Sequence, residues 1–447
     1  MVRKNLIRTG VLAALGLASI DAMANIAFSS IPGARANSMG GSYIAIANDT
    51  TSLFYNPAGI ARISGGEVMA EYGDVVAQDT DTVRAWLPDH LGQPVTEEAD
   101  LKFVGGVWGS PLGEDSGLNF GIAYAPNVYN IPTQLYGSFE FESSESIKFE
   151  TQVEQLSLGV GSNWGDFAWG ISLDYHQYET EVVWTEVGRN GISFGPGNTP
   201  TVVENNCING VTFCPSVGQT LADFTSWGIT SGLMWRTYFG ENDASSFSLG
   251  AVYRFNNGEE DRDLEGIDLA GLENFQEANG FNTPLAPESW GVGAAYEFPL
   301  TDALQGLVTA QYEYMDYFAT NDDFDPTDGG DTYRVGVVSE WTRTSFGGEV
   351  SYLSDAGWQW FFRGGYYTAE DDNFESIRYE YAAVEATTFG VGVYVPGFGK
   401  LEVTGEQRDI DNLDASLIED KWAGTADSSR SQYDVSLISF SYTYVWF

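Results

Sequence analysis

Residues Phe167-Ala168-Trp169-Gly170-Ile171-Ser172-Leu173-Asp174-Tyr175-His176 alternate without a break. Phe, Trp, Ile, Leu and Tyr fall on one face, and Ala, Gly, Ser, Asp and His on the other. Successive side chains of an extended strand point to opposite faces, so this reads as a strand with one apolar side. Leu118, Phe120, Ile122 and Tyr124 repeat the pattern against Asn119, Gly121, Ala123 and Ala125. It returns in Trp290 to Phe298 and in Phe389 to Val395. One such strand fits a soluble sandwich as well as a membrane barrel. The connections separate the two.

Working outward, strands are predicted at 66–76, 100–109, 117–126, 147–162, 167–184, 224–238 and 246–256. The second half predicts 288–298, 304–318, 332–353, 358–368, 386–395, 399–409 and 434–447. The connections alternate between long (77–99, 127–146, 185–223, 257–287, 319–331, 369–385, 410–433) and short (110–116, 163–166, 239–245, 299–303, 354–357, 396–398). Long external loops, short periplasmic turns and an even strand count are the pattern of an outer-membrane barrel. Closure has a physical cause: in lipid every backbone N–H and C=O must be paired, and an open sheet edge leaves a row unpaired. The expected fold is all-β, a transmembrane antiparallel barrel of about 14 strands. Its domains are 1–24, 25–65 and 66–447.

Composition agrees. There are 52 Gly, 24 Tyr, 27 Phe and 13 Trp, with only 19% charged residues. Arg3, Lys4 and Arg8, an apolar run from Gly10 to Ile20, and Ala22-Met23-Ala24 form a cleavable signal peptide over 1–24. The run is too short for a spanning helix, which needs roughly 20 residues. The chain carries 20 Lys+Arg against 63 Asp+Glu, a net charge of −43. Loss of the leader removes three basic residues and Asp21, giving −45. Such charge argues against nucleic acid as a partner and fits solvated acidic loops. Cys207 and Cys214 lie in one polar stretch of an exported chain, which predicts a loop-stapling disulfide.

Residues 25–65 precede the wall. They are small, turn-rich and sparsely charged, too ordered in pattern for a tail and too short for a core of their own. The place left is the lumen, which a barrel of fourteen strands must fill or flood. Gly33-Ala34-Arg35, Met39-Gly40-Gly41, Ala47-Asn48-Asp49 and Asn56-Pro57-Ala58-Gly59 resemble the N-terminal hatch of FadL-type long-chain fatty-acid transporters. Ala286-Pro287-Glu288-Ser289-Trp290 is similar to that family's Pro-Glu-x-Trp. Asp331-Thr332-Tyr333-Arg334-Val335 and Trp360 to Tyr366 resemble its late strands. The resemblance implies a lumen plugged by the hatch, with Gly33, Arg35, Gly40, Gly41, Asn56, Pro57, Ala58 and Gly59 as hatch and gating residues. It implies passive transport of hydrophobic compounds, long-chain fatty acids or aromatic hydrocarbons, by lateral diffusion into the membrane. The same hatch pattern also resembles PorV-type barrels, which serve protein secretion. The strongly acidic loops disfavour an anionic ligand except where salt screens them, over about 8 Å at physiological ionic strength.

The remaining expectations are brief. The final aromatic Phe447 resembles the signal read by the barrel-assembly machinery. Lipid and lipopolysaccharide are the expected surroundings of a monomer. Ser172, Asp174 and His176 share a polar face, and alternate residues are read as too far apart for a catalytic relay, so no enzyme and no cofactor are expected. The acidic run 321–331 has calcium-like carboxylate density without EF-hand spacing. Trp184, Tyr238, Trp341 and Trp358 are candidates for interfacial girdles.

Overall fold

The computed structural model describes residues 32–80, 100–109, 117–139, 143–188, 214–257, 288–316, 340–371, 383–412 and 431–446. Fourteen antiparallel strands form a closed barrel in which each strand pairs with its neighbours in sequence. They are β1 (Gly66–Thr80), β2 (Asp100–Gly109), β3 (Leu118–Phe139), β4 (Ser143–Trp164), β5 (Phe167–Gly188), β6 (Cys214–Phe239) and β7 (Ser245–Asn257). The circle continues with β8 (Glu288–Pro299), β9 (Leu304–Asp316), β10 (Glu340–Leu353), β11 (Gln359–Asp371), β12 (Ala383–Val395), β13 (Gly399–Asn412) and β14 (Ser431–Trp446). Pairing of Gly66 with Trp446 joins the last strand to the first, so no edge remains for lipid to meet.

The alternation has the phase of a membrane wall. On β5, Phe167, Trp169, Ile171 and Leu173 are exposed, while Ala168, Ser172, Asp174 and His176 are buried. β4 repeats this with Leu156 and Leu158 outside and Ser157 inside. A soluble sandwich buries its apolar face; here the apolar face is the outer surface. The core lies inside the barrel, where Leu53, Phe54, Tyr55 and Ile60 of the N-terminal segment meet Phe103, Val107, Ala123 and Ala125 of the wall.

Three expectations change. The stretch 127–146 is not a long loop: β3 and β4 continue as one ladder and leave only 140–142 between them. The 185–223 connection shrinks in the same way to 189–213. A strand of 22 residues runs roughly 70 Å at about 3.3 Å per residue, more than twice a hydrocarbon core of about 30 Å. These ladders therefore stand beyond the bilayer, where polar side chains hide a strand from a search for apolar alternation. Of 332–353, residues from Glu340 onward form β10 and 332–339 lie outside the described residues. Finally, Tyr238 and Trp358 face outward as girdle residues should, but Trp341 is buried. It is in phase with Arg343, Ser345 and Glu349, the inward set of β10. The side chain of Trp184 lies outside the described residues.

Candidate functional site

Residues 32–63, called the plug below for their position, pack against the inward face of the wall. The plug carries α1 (Ala34–Ser38), α2 (Ser52–Tyr55) and a 3-10 turn over Pro57–Arg62. Pro57 begins the 3-10 turn, where its missing N–H costs nothing, and Asn56 Oδ1 caps it by accepting from Ala58 N at 3.1 Å. Gly40 and Gly41 have φ of +66° and +75°, a left-handed pair that turns the chain back after α1. Gly41 N then donates to Ala36 O at 2.9 Å.

So little regular structure leaves many spare backbone groups, each costing about 1–3 kcal/mol if buried without a partner. Wall side chains supply the partners. Gln311 Oε1 accepts from the N–H groups of Tyr43 and Ile44, both at 2.8 Å. Glu67 Oε1 accepts from the N–H and hydroxyl of Thr50, both at 2.7 Å. Glu71 Oε2 accepts from Gly33 N at 2.5 Å. Asn119 Nδ2 donates to the carbonyls of Ile60 and Ile63 at 2.7 and 2.8 Å. Arg254 Nη2 donates to the carbonyls of Phe54 and Tyr55, at 2.9 and 3.0 Å, which are the free acceptors at the end of α2. Asn56 Nδ2 joins the plug to itself and to the wall, donating to Ile44 O at 2.9 Å and Leu233 O at 3.2 Å.

Inward-facing glycines let the plug approach. A Cβ on Gly250 would stand 2.4 Å from Ile44 O, and one on Gly170 would stand 2.2 Å from Pro57. Gly59 is pressed against Ala47 O inside the plug, where a Cβ would come within 2.3 Å. Side chains are thus excluded where plug backbone meets wall backbone.

On the opposite wall the contact is ionic. Arg35 Nε lies 3.1 Å from Glu349 Oε2, and Arg363 Nε lies 2.6 Å from the same oxygen. Arg363 pairs with Glu402 at 2.7 Å, and Lys400 with Glu402 at 3.0 Å. Arg35 Nη1 also donates to Asn48 Oδ1 at 2.7 Å. Burial opposes the charge of Arg35, but Glu349, with Tyr43 and Asp49, holds its pKa well above the ordinary value. Tyr43 is pushed up by burial first and then by Asp49, which accepts its hydroxyl proton at 2.7 Å. Arg343 donates to Gly40 O at 3.1 Å, and Gly40 N donates to Thr388 Oγ1 at 2.9 Å.

Gly33, Arg35, Gly40, Gly41, Asn56, Pro57, Ala58 and Gly59 all belong to this inner segment, and Gly59 faces its interior rather than the wall. A closed fourteen-strand barrel with an apolar outer face and a packed lumen leaves one setting. The chain is a β-barrel of the outer membrane. No family model and no curated protein matches this barrel's sequence. Solved structures similar to it include the Ralstonia pickettii toluene transporter TbuX, with 13% identity and a TM-score of 0.49 over 93% of this chain and 98% of that one. A Pseudomonas aeruginosa FadL homologue has 11% identity and a TM-score of 0.48 over 96% and 100%. The CymD monoaromatic hydrocarbon channel has 10% identity and a TM-score of 0.45 over 95% and 100%.

Sequence reading missed Gln311, Glu67, Asn119, Arg254 and Glu349, the wall residues that hold the plug. They look like any polar residue on a lumenal face. It also misjudged one spacing. Ser172 Oγ donates to Asp174 Oδ2 at 3.3 Å, so alternate residues here do touch. Asp174 is further engaged by Ser157 and Thr230, each at 2.6 Å. Residues 1–24, Cys207, the acidic run 321–331 and Phe447 lie outside the described residues, as does the side chain of Cys214.

Proposed function

We propose that this barrel is a passive transporter of hydrophobic compounds of the FadL type, with residues 25–65 as its hatch. One observation supports the reading: residues 32–63 pack inside the barrel with an apolar side against a weakly paired part of the wall. Asp100, Leu101 and Phe103 pair with β1, yet the β2–β3 register begins only at Val104 with Tyr124. On the other side of β3, the β3–β4 register shifts between Ala125 and Tyr129. Phe54 and Phe103, with ring centroids 5.8 Å apart, line the lumenal side. A hydrophobic molecule that displaced the plug here would pass between these buried apolar side chains and the seam, with lipid beyond it. Exit there needs no water-filled pore.

In this reading the barrel acts as a monomer, inserted by the assembly machinery and surrounded by lipid and lipopolysaccharide. The test is uptake of radiolabelled oleate and toluene by cells in which this protein replaces their own transporter. Uptake of either one that depends on the barrel supports the reading. Uptake of neither by a correctly inserted barrel sinks it and turns the search to a secretion partner.

A further inference from the structure

We infer that the lumenal face around His176 is a subsite for the hydroxyl group of a neutral, phenol-class aromatic. The inference rests on the transport reading and names a substrate class for it. His176 is 5% exposed, and its Nδ1 is buried with no hydrogen-bond partner among the described residues. A buried donor or acceptor left alone is costly, and a ligand group that pairs with it gains what the protein lacks.

The neighbours specify the ligand. Ala125 pairs with Gln155, Gln155 with His176, and His176 with Ser226, so these four form one row across β3 to β6. Phe103 precedes Val104, the last β2 residue paired with β3, and lies in one buried apolar cluster with Ala125. The row therefore runs from an apolar end at Phe103 and Ala125 to a polar end at His176 and Ser226. A phenol with its hydroxyl at His176 on β5 would direct its ring along the row toward the seam. The Tyr178 ring, 6.2 Å from that of His176, offers an aromatic wall at the head.

The head is neutral. Asp174, two residues along β5, is 2% exposed and is held by three hydroxyls. Among the described residues no Lys or Arg pairs with it. A ligand carboxylate here would face that charge in a low-dielectric lumen, where repulsion is strongest. A hydroxyl can donate or accept, so it suits either tautomer of His176. A carboxylate can only accept.

Three ligands separate the possibilities: toluene, p-cresol and p-toluate, titrated calorimetrically into the purified barrel in detergent. The first two differ by one hydroxyl, and the third replaces it with a charge. The expected result is p-cresol binding about tenfold tighter than toluene, the effect of one additional hydrogen bond. p-Toluate binds most weakly and gains from Asp174→Asn. His176→Phe brings the cresol-to-toluene ratio to about one, and His176→Gln, which keeps an acceptor, restores part of it. A wild-type ratio near one, or a ratio that survives His176→Phe, overturns the subsite while leaving transport of apolar compounds in place. No binding of any of the three overturns both.

Discussion

Arg35 of the plug and Glu349 of β10, 314 residues apart in the chain, meet at 3.1 Å inside the barrel. Glu349 is shared with Arg363, so the two residues of the pair are not equivalent. Loss of Arg35 leaves Glu349 still paired with Arg363, whereas loss of the carboxylate removes the one ion pair of Arg35 among the described residues and leaves Arg363 with Glu402. Removing one member of a buried pair costs about 3–5 kcal/mol when the other is stranded. Glu349→Gln is therefore expected to loosen the plug more than Arg35→Met. Single-channel recording in planar bilayers reads this directly: a silent wild type, frequent openings for Glu349→Gln, and fewer for Arg35→Met. Equal silence in all three would show that this contact does not hold the lumen shut.

Asn56 connects two parts of the plug with β6. Its amide donates to Ile44 O and Leu233 O, while its carbonyl caps the turn at Ala58. Asn56→Ala strands buried partners and is expected to cost about 1–3 kcal/mol. Asn56→Asp keeps the cap but sets a carboxylate against carbonyl oxygens, so it is expected to be at least as damaging. Thermal unfolding of the purified barrel, together with toluene uptake, checks the order. An Asp variant as stable as wild type would show that Nδ2 is not the important atom.

Contact between plug and wall depends on missing side chains. A Cβ at Gly250 would stand 2.4 Å from Ile44 O, a backbone atom that cannot swing aside. Gly250→Val is expected to yield an inserted barrel with a displaced plug and raised conductance. Gly364→Ala is the matched control: its Cβ would meet only Thr388 O at 3.7 Å, and such changes stay within about 0.5 kcal/mol. Small-solute leakage from liposomes compares the two, and equal leakage would refute the close-approach argument.

These contacts mark the boundary of what the sequence shows. The wall was legible because lipid imposes a phase, as in Phe167, Trp169, Ile171 and Leu173 outside and Ala168, Ser172 and Asp174 inside. The same phase, carried along β10 from Phe346 and Val350, already places Trp341 inside; its aromatic character suggested the reverse. The extensions of β3 over 127–139 and of β6 over 214–223 were not legible, since outside the bilayer nothing forces apolar alternation. The partners of the plug were hidden for another reason. That Gln311 accepts from Tyr43 and Ile44, and that Glu67 accepts from Thr50, follows from register summed around the whole barrel. No local pattern encodes that sum.

The lipid-facing wall gives the last prediction. Leu158 is half exposed and lies six residues up β4 from Trp164, which stands almost fully exposed at the turn before β5. If Trp164 marks one interface, then Leu158 sits roughly 20 Å along the strand, less its tilt, close to the middle of the hydrocarbon layer. An arginine at the midplane of a barrel wall costs about 2–4 kcal/mol, falling to about 0–1 kcal/mol near the interface. Leu158→Arg is therefore expected to destabilise the barrel in phospholipid vesicles by the larger amount, and Trp164→Arg by the smaller, in equilibrium urea unfolding. In a soluble protein an exposed leucine accepts arginine at almost no cost. A neutral Leu158→Arg would thus contradict the membrane placement itself, and equal costs at both sites would move the bilayer along the barrel axis.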